Sequence, residues 1–257
     1  MISFLFKMIL KYDTIIYEDD GMRKLFDKMY KEDCEGFYKI LKNNLKKEKK
    51  MFVVTANPET FMMSEKDEDL KNMLEDDETT LVPDGIGVVK AGRSIKYDIK
   101  MRITGIDIAY KLLEYGNELK KSIYLFGSKQ EVLDMMKDVL DKNYPNLKIA
   151  GMTNGYVKDK DKEYKKISKL NPDIVLVALG IPAQEKLIYK HLKEFKKGIF
   201  VGVGGSFDVI SGSKKRAPKF FIKCNLEWLY RIVKEPSRLK RFYNSNIKFL
   251  HVVRKYK

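Results

Sequence analysis

Six short apolar runs, each ending in a turn and most leading into a helix-like stretch, constrain the fold of this chain more than any other feature. They lie at residues 51–55, 80–82, 122–126, 147–150, 173–179 and 198–203. Continuous apolar runs of this length are typical of parallel strands that are buried on both faces. Residues 130–141 and 184–195 place apolar side chains three and four apart, which predicts amphipathic helices. The pattern therefore predicts an α/β fold with a mostly parallel, Rossmann-like sheet flanked by helices.

The positive charge is concentrated at the C-terminal end. The formal net charge is +15, and residues 214–257 carry 14 Lys or Arg against two acidic residues, which leaves only +3 for residues 1–213. This contrast predicts an α/β catalytic domain at 1–213 and a basic helical appendage at 214–257. Such an appendage could contact nucleic acid, anionic lipid headgroups or a phosphorylated ligand, because Coulomb attraction alone does not distinguish among polyanions.

Aromatic residues are interspersed with the cations of this appendage. The pattern predicts a helix over residues 219–234, an interruption near Pro236 and a second helix through Arg238 and Arg241. Phe, Trp, Leu and Tyr among basic residues suit an amphipathic helix in a membrane interface. An ordinary terminal helix with a solvated basic face fits the same residues, as does an alternative function, a module that binds RNA or DNA.

Ligands of open parallel sheets bind beyond the carboxyl ends of the strands, and unusual residues follow two of the predicted strands there. Thr55-Ala-Asn-Pro-Glu59 supplies a hydroxyl, an amide and a carboxylate, and Pro83-Asp84-Gly85 follows the next strand. A carboxylate fixed at Asp84 could remove a proton from a sugar hydroxyl that attacks an anomeric carbon. The ordinary alternatives are a helix cap at Asn57 and a β-turn around Asp84.

Two further motifs are suited to phosphate. Arg102-Ile-Thr-Gly-Ile-Asp107 places a guanidinium ahead of a predicted helix, where it could hold a phosphate while Asp107 serves as a cap. Leu179-Gly-Ile-Pro-Ala-Gln-Glu185 predicts a strand, a turn and a helix start whose free N–H groups suit a diphosphate or a uracil carbonyl. Gln184 can both donate and accept there, although it would equally suit a solvent-exposed position.

Patterns for several other chemistries are excluded. Gly202-Val-Gly-Gly-Ser-Phe-Asp208 has neither the spacing of a dinucleotide fingerprint nor the final glycine of a nucleophile elbow. Asp67-Glu-Asp69 and Asp159-Lys-Asp161 lie in dense charge runs and are interpreted as solvated, so no metal site is predicted. His191 and His251 have no evident triad partner and are expected at the surface.

Localisation is expected to be cytoplasmic. No apolar run approaches the ~20 residues that a membrane-spanning helix requires. Residues 1–10 lack the basic start and the small-residue cleavage site of a signal peptide. Cys34 and Cys224 lie far apart, without metal-ligand spacing and without any indication of an oxidising compartment.

Taken in order, these motifs resemble the glycosyltransferases of the WecG/TagA/CpsF type, also called glycosyltransferase family 26. The resemblance spans residues 50–242 and includes three motifs of the basic region: Arg216-Ala-Pro218, Leu226-Glu-Trp-Leu-Tyr-Arg231 and Glu235-Pro-Ser-Arg238. It implies an inverting transferase without metal or other cofactor that takes a UDP-linked sugar and extends N-acetylglucosamine on undecaprenyl diphosphate. The best-known members add N-acetylmannosamine or its uronic acid, and such products enter teichoic acids and other surface polysaccharides.

The resemblance also implies roles for individual residues and partners. Asp84 is the expected general base, with Thr55 and Arg102 as further catalytic residues. The expected substrate contacts are Asn57, Gly85, Gly180, Gln184, Gly204, Arg231, Arg238 and Arg241. The arginines of the basic region would close over the pocket at the inner face of the cell membrane and neutralise the departing diphosphate. The expected partners are a UDP-sugar, a lipid-diphospho-sugar acceptor and an anionic membrane surface. Nucleic acid is not expected, and a homo-oligomer is compatible with this picture.

Overall fold

A six-stranded, entirely parallel sheet forms the centre of the protein in the computed structural model, which describes residues 19–256. The strands are β1 (Lys50–Ala56), β2 (Thr79–Pro83), β3 (Ser122–Gly127), β4 (Lys148–Thr153), β5 (Ile174–Ala178) and β6 (Gly198–Gly202). Their order across the sheet is β2-β1-β6-β5-β3-β4. The predicted α/β fold with a parallel sheet is confirmed.

Helices cover both faces of this sheet. Those before β3 are α1 (Asp19–Lys28), α2 (Cys34–Lys46), α3 (Pro58–Ser64), α4 (Glu68–Glu75), α5 (Ile86–Ser94) and α6 (Gly105–Glu118). Those after β3 are α7 (Gln130–Asn143), α8 (Lys160–Leu170), α9 (Ala183–His191), α10 (Ser206–Ile210), α11 (Lys219–Lys223), α12 (Glu227–Lys234), α13 (Arg238–Phe242) and α14 (Lys248–Val253). Residues 1–10, interpreted above as lacking a signal peptide, lie outside the described residues.

Alternate residues of each strand face opposite core layers. Val53 of β1 and Leu176 of β5 lie in one layer, whereas their neighbours Val54 and Val175 lie in the other. All four are at most 1% exposed. Because helices bury both faces, most positions along these strands are apolar, which produces the continuous hydrophobic runs of the sequence.

The end of the described chain belongs to the core. Phe249 on α14 is fully buried, and its ring centroid lies 5.1 Å from that of Phe61 on α3 and 6.5 Å from that of Phe26 on α1. The stretch predicted as one appendage therefore comprises an arm, residues 219–242, and a final helix packed on the body. Across the described part of the chain, no helix combines the length and hydrophobicity that crossing a bilayer requires.

The arm consists of three short helices. α11 ends at Lys223, and Asn225 follows with φ of 59°, in the left-handed region. A residue in this conformation ends an α-helix, so α12 starts anew at Glu227. The prediction of an uninterrupted helix over residues 219–234 is therefore wrong, whereas the predicted interruption near Pro236 separates α12 from α13.

His191 is buried, so its predicted surface position is wrong. It is 1% exposed, and its ring nitrogens lie 2.8 Å from Glu194 Oε1 and 2.7 Å from Asp161 Oδ1. Two other acids of the charge runs, Asp67 and Asp159, accept backbone N–H groups as N-caps of α4 and α8. Among residues 19–256, no three His, Cys, Asp or Glu side chains are grouped in a way that could hold a metal ion.

Candidate active site

Asp84 lies at the carboxyl edge of the sheet, beside the end of β1. Pro83 of β2 pairs with Ala56 of β1, and the Asp84 N–H then donates to the Ala56 carbonyl over 2.9 Å. Gly85 follows with φ of 93°, a conformation that favours glycine, and turns the chain into α5. These backbone contacts therefore fix the position of the Asp84 Cα at this edge of the sheet.

Charged groups from two parts of the chain, residues 102–107 and residues 227–231, act on Asp84, which remains partly accessible to solvent. Burial raises the pKa of Asp84 to about 6. Arg231 and Arg102 lower this pKa, whereas Glu227 and Asp107 raise it. A carboxyl group with such a pKa is mostly ionised at neutral pH and is a stronger base than an ordinary aspartate. The site thus combines a basic carboxylate with guanidinium groups from the body and from the arm.

The two arginines near Asp84 belong to a network of ion pairs centred on Glu227. Glu227 is 6% exposed, and its Oε2 lies 3.2 Å from Arg102 Nη2. Its Oε1 lies 3.4 Å from Arg216 Nε and 3.7 Å from Arg231 Nη2. Arg216 also contacts Asp107 Oδ1 at 2.8 Å. Side chains of alternating charge therefore connect the start of α6 to α12.

Thr55 and Asn57 flank the end of β1. The Asn57 Oδ1 accepts from the N–H groups of Glu59 and Thr60, at 2.8 and 3.1 Å, and so caps α3. Thr55 is 9% exposed and lies against Gly105, the first residue of α6. Both residues stand on the same edge of the sheet as Asp84, and their contact with a substrate stays a prediction.

Gln184 is buried and connects the loops that follow β5 and β6. It is 3% exposed, and its Oε1 accepts from the N–H groups of Gly180 and Gly204, each at 3.1 Å. Its Nε2 donates to Glu185 Oε1 over 2.7 Å. The solvent-exposed position considered for Gln184 is therefore wrong. The N–H groups of Gly180 and Gly204 thus donate to Gln184, and contact of either glycine with a substrate stays a prediction.

The other two predicted arginines of the arm contact a half-buried carboxylate, Glu59, and an exposed one, Glu235. Arg241 Nε donates to Glu59 Oε1 and Arg238 Nε donates to Glu235 Oε2, each over 2.6 Å. Arg241 thus reaches the start of α3 on the body, whereas Arg238 pairs within the arm region. Arg231 is the arm arginine that acts on the Asp84 carboxyl group.

Most of the chain matches one protein family. A family model described as "Glycosyl transferase WecG/TagA/CpsF family" covers residues 25–257. The chain belongs to this family. The N-acetylglucosaminyldiphosphoundecaprenol N-acetyl-beta-D-mannosaminyltransferase of Bacillus subtilis (strain 168) is 43% identical over 189 residues, which are 74% of this chain and 73% of that enzyme. The enzyme of the same name from Staphylococcus aureus (strain MW2) is 34% identical over 208 residues, 80% of this chain and 81% of its own length. The resemblance inferred from the motifs is confirmed, and the protein is a glycosyltransferase.

Sequence reasoning assigned no site role to Glu227, Arg216 or Glu185 of this glycosyltransferase, and only a capping role to Asp107. A signal for Glu227 was present, because it is one of two acidic residues among the last 44. A carboxylate retained within such a basic segment is expected to pair with several cations. Arg216 likewise stands in Arg216-Ala-Pro218, one of the motifs that carry the family resemblance.

Proposed function

We propose that this glycosyltransferase moves N-acetylmannosamine from a UDP-sugar to N-acetylglucosamine carried on undecaprenyl diphosphate, in the synthesis of a cell-wall or surface polysaccharide. The names of relatives that are 43% and 34% identical support this acceptor and this sugar. The observation that carries the chemistry is the Asp84 carboxyl group, with its raised pKa and two nearby guanidinium groups.

Asp84 acts as the general base in this reaction. Its carboxylate accepts the proton of the attacking acceptor hydroxyl, whose oxygen forms a bond to the anomeric carbon. The bond from that carbon to the diphosphate oxygen of UDP breaks on the opposite face, so the anomeric configuration is inverted. A pKa of about 6 suits this step, because the group is ionised at neutral pH and still holds the transferred proton well.

Arg102 and Arg231 stabilise the leaving diphosphate. Negative charge develops on UDP as the glycosidic bond breaks, and fixed guanidinium groups next to the reacting carboxylate offset that charge. Each planar guanidinium group can donate two parallel hydrogen bonds to phosphate oxygens. Because arginines supply this positive charge, we propose that the reaction needs no metal ion.

The arm contacts the membrane that carries the lipid-linked acceptor. Phe220, Val233 and Leu239 are 68%, 69% and 59% exposed, although all three are apolar. Trp228 stacks on Phe242 with ring centroids 4.5 Å apart. Exposed apolar side chains among lysines and arginines are typical of helices at a membrane surface. Peripheral attachment to the anionic inner face of the cell membrane follows, with Asp84 near the acceptor's headgroup.

UDP release tests this function directly. Wild-type protein is mixed with a soluble lipid-diphospho-N-acetylglucosamine analogue and each of several UDP-sugars, and we expect the fastest release from UDP-N-acetylmannosamine. Asp84→Asn should lower turnover about 10²- to 10⁴-fold with the fold retained, because the amide keeps the shape but cannot accept the proton. Asp134→Asn, at an exposed position of α7, is the matched control. Wild-type turnover in Asp84→Asn would reject Asp84 as the base, and no release from any UDP-sugar would reject the reaction.

A further inference from the structure

Glu227 is the most enclosed carboxylate of the arm, and three guanidinium groups surround it. It is 6% exposed, whereas Glu235, the other acid of residues 214–257, is exposed. The three arginines come from different places in the chain: Arg102 precedes α6, Arg216 precedes the arm, and Arg231 lies one turn further along α12. A buried carboxylate with so many partners fixes the relative positions of the elements that carry them.

The network is anchored on the body through α6. Arg216 donates to Asp107 Oδ1 over 2.8 Å, and the Thr104 hydroxyl donates to Asp107 Oδ2 over 2.6 Å. Thr104 is also the N-cap of α6, where its oxygen accepts the Asp107 N–H. The start of α6, Arg216 and Glu227 therefore form a continuous chain of contacts that ends on α12.

Glu227 touches both arginines that act on Asp84. Arg102 belongs to the body and Arg231 to the arm, so their separation depends on how α12 is seated. Their common contact with one carboxylate sets that separation.

We propose that Glu227 is a positioning residue of the transferase, which holds Arg102 and Arg231 where both act on the Asp84 carboxylate. This role presupposes the transfer reaction proposed above, in which the two guanidinium groups stabilise the leaving diphosphate. Glu227 itself contacts arginines and not the reacting atoms, so its effect on the reaction is exerted through them.

Loss of the Glu227 charge has an electrostatic consequence at Asp84. Among the described residues, the charged groups that act most strongly on the Asp84 carboxyl group are Arg231, Arg102, Glu227 and Asp107. The Glu227 carboxylate raises the pKa of Asp84, so its removal leaves the arginines less compensated and lowers that pKa. A small displacement of the guanidinium groups impairs the geometry of their hydrogen bonds but changes their Coulomb attraction to Asp84 only slightly, so the lost charge sets the direction of the shift. The acid limb of the pH–rate profile then moves to lower pH. A purely structural defect reduces the amount of active protein and leaves the limb where it is.

Kinetics of Glu227→Gln test the role. We expect kcat to fall about 10- to 100-fold, as for loss of a group that orients transition-state donors, with a smaller change in KM for the UDP-sugar. The acid limb should move to lower pH, and Glu227→Asp, which restores the charge on a shorter side chain, should recover part of kcat and the wild-type limb. Glu118→Gln, at a surface carboxylate paired with Lys42 at 2.7 Å, is the matched control and should match wild type.

A second measurement does not depend on activity. The Asp84 carboxyl carbon can be followed by ¹³C NMR in full-length protein and assigned by the signal that Asp84→Asn loses. We expect the midpoint of the Asp84 titration, followed by the chemical shift of this carbon, to lie at lower pH in Glu227→Gln than in wild type or Glu118→Gln. An unchanged midpoint in a folded Glu227→Gln protein, or a reduced kcat with an unshifted acid limb, would overturn the positioning role. If the midpoint shifts in Glu227→Gln but wild-type protein shows no turnover, the electrostatic contact is supported and the transfer reaction is refuted.

Discussion

Replacement of Glu185 by glutamine should stabilise the protein in a strongly pH-dependent manner. Glu185 lies in the first turn of α9 and is 2% exposed. Its Oε1 accepts from Gln184 Nε2, whereas its Oε2 has no hydrogen-bond partner among the described residues. Burial raises the pKa of Glu185 from 4.5 to about 7. The carboxyl group is therefore protonated in the folded chain at a pH at which the unfolded chain has already released the proton.

The size of the effect follows from this difference in pKa. The stability that the protonated Glu185 carboxyl group contributes is fully present below about pH 4.5 and is lost as the pH rises through about 7. The loss occurs because the unfolded chain releases this proton at lower pH than the folded chain does. Since one pKa unit corresponds to about 1.4 kcal/mol, the loss between about pH 5 and pH 8 is about 2–3 kcal/mol. Glu185→Gln cannot ionise and escapes this loss, while its side-chain oxygen can still accept from Gln184.

Urea unfolding followed by far-UV circular dichroism measures the difference. Wild type and Glu185→Gln should differ by about 2–3 kcal/mol more at about pH 8 than at about pH 5, with the variant the more stable at the higher pH. Because the two proteins are compared at the same pH, the contributions of all other titrating groups to the free energy of unfolding cancel. Glu118→Gln controls for loss of a surface charge. An equal difference at the two pH values would show that Glu185 is ionised normally and would refute the reasoning.

Two further predictions concern the base and the arm. The wild-type kcat/KM should fall about tenfold per unit below about pH 6, because Asp84 must be ionised to accept a proton, and a flat profile between about pH 4 and pH 6 would contradict this. Flotation with anionic liposomes should be lost when aspartate replaces three exposed apolar residues of the arm (Phe220, Val233 and Leu239), whereas Tyr156→Asp, at a 74% exposed position outside the arm, should keep it. Flotation of both variants would exclude these side chains as the membrane contact. Substitution is preferable to truncation after Ser213, which would also remove Phe249 from the core.

The strands could be predicted from the sequence because strands that are buried on both faces consist mostly of apolar residues. The run at residues 173–179 contains β5, and the run at 51–55 lies within β1. Strand order could not be predicted in this way. β6 lies between β1 and β5 although it is the last strand in the chain, and hydrophobicity records whether a strand is buried but not which strand is its neighbour.

The candidate site could be predicted only in part, for a related reason. Asp84 and Asn57 follow neighbouring strands, so parallel topology alone brings them to one edge. The contact between Arg102 and Glu227 joins residues 125 positions apart, and it depends on how the arm folds back on the body. The helix break at Asn225 could not be predicted either, because an asparagine in the left-handed conformation leaves the amphipathic periodicity of the sequence unchanged.

The ion-pair network allows the arm to stay seated while its arginines change partners. Glu227 keeps Arg102 and Arg216 at 3.2 and 3.4 Å, whereas Arg231, at 3.7 Å and with its side chain 56% exposed, is the outermost of the three. Arg231 can therefore turn toward the diphosphate of the proposed donor without leaving a buried carboxylate unpaired, a state that would cost several kcal/mol. The ion pairs of Arg238 and Arg241 lie at the surface, with both arginine side chains exposed, and stabilise the arm by at most about 1 kcal/mol each, so an anionic ligand can displace them at little cost. A substitution at Arg216 should therefore loosen the arm, whereas one at Arg231 should leave it in place.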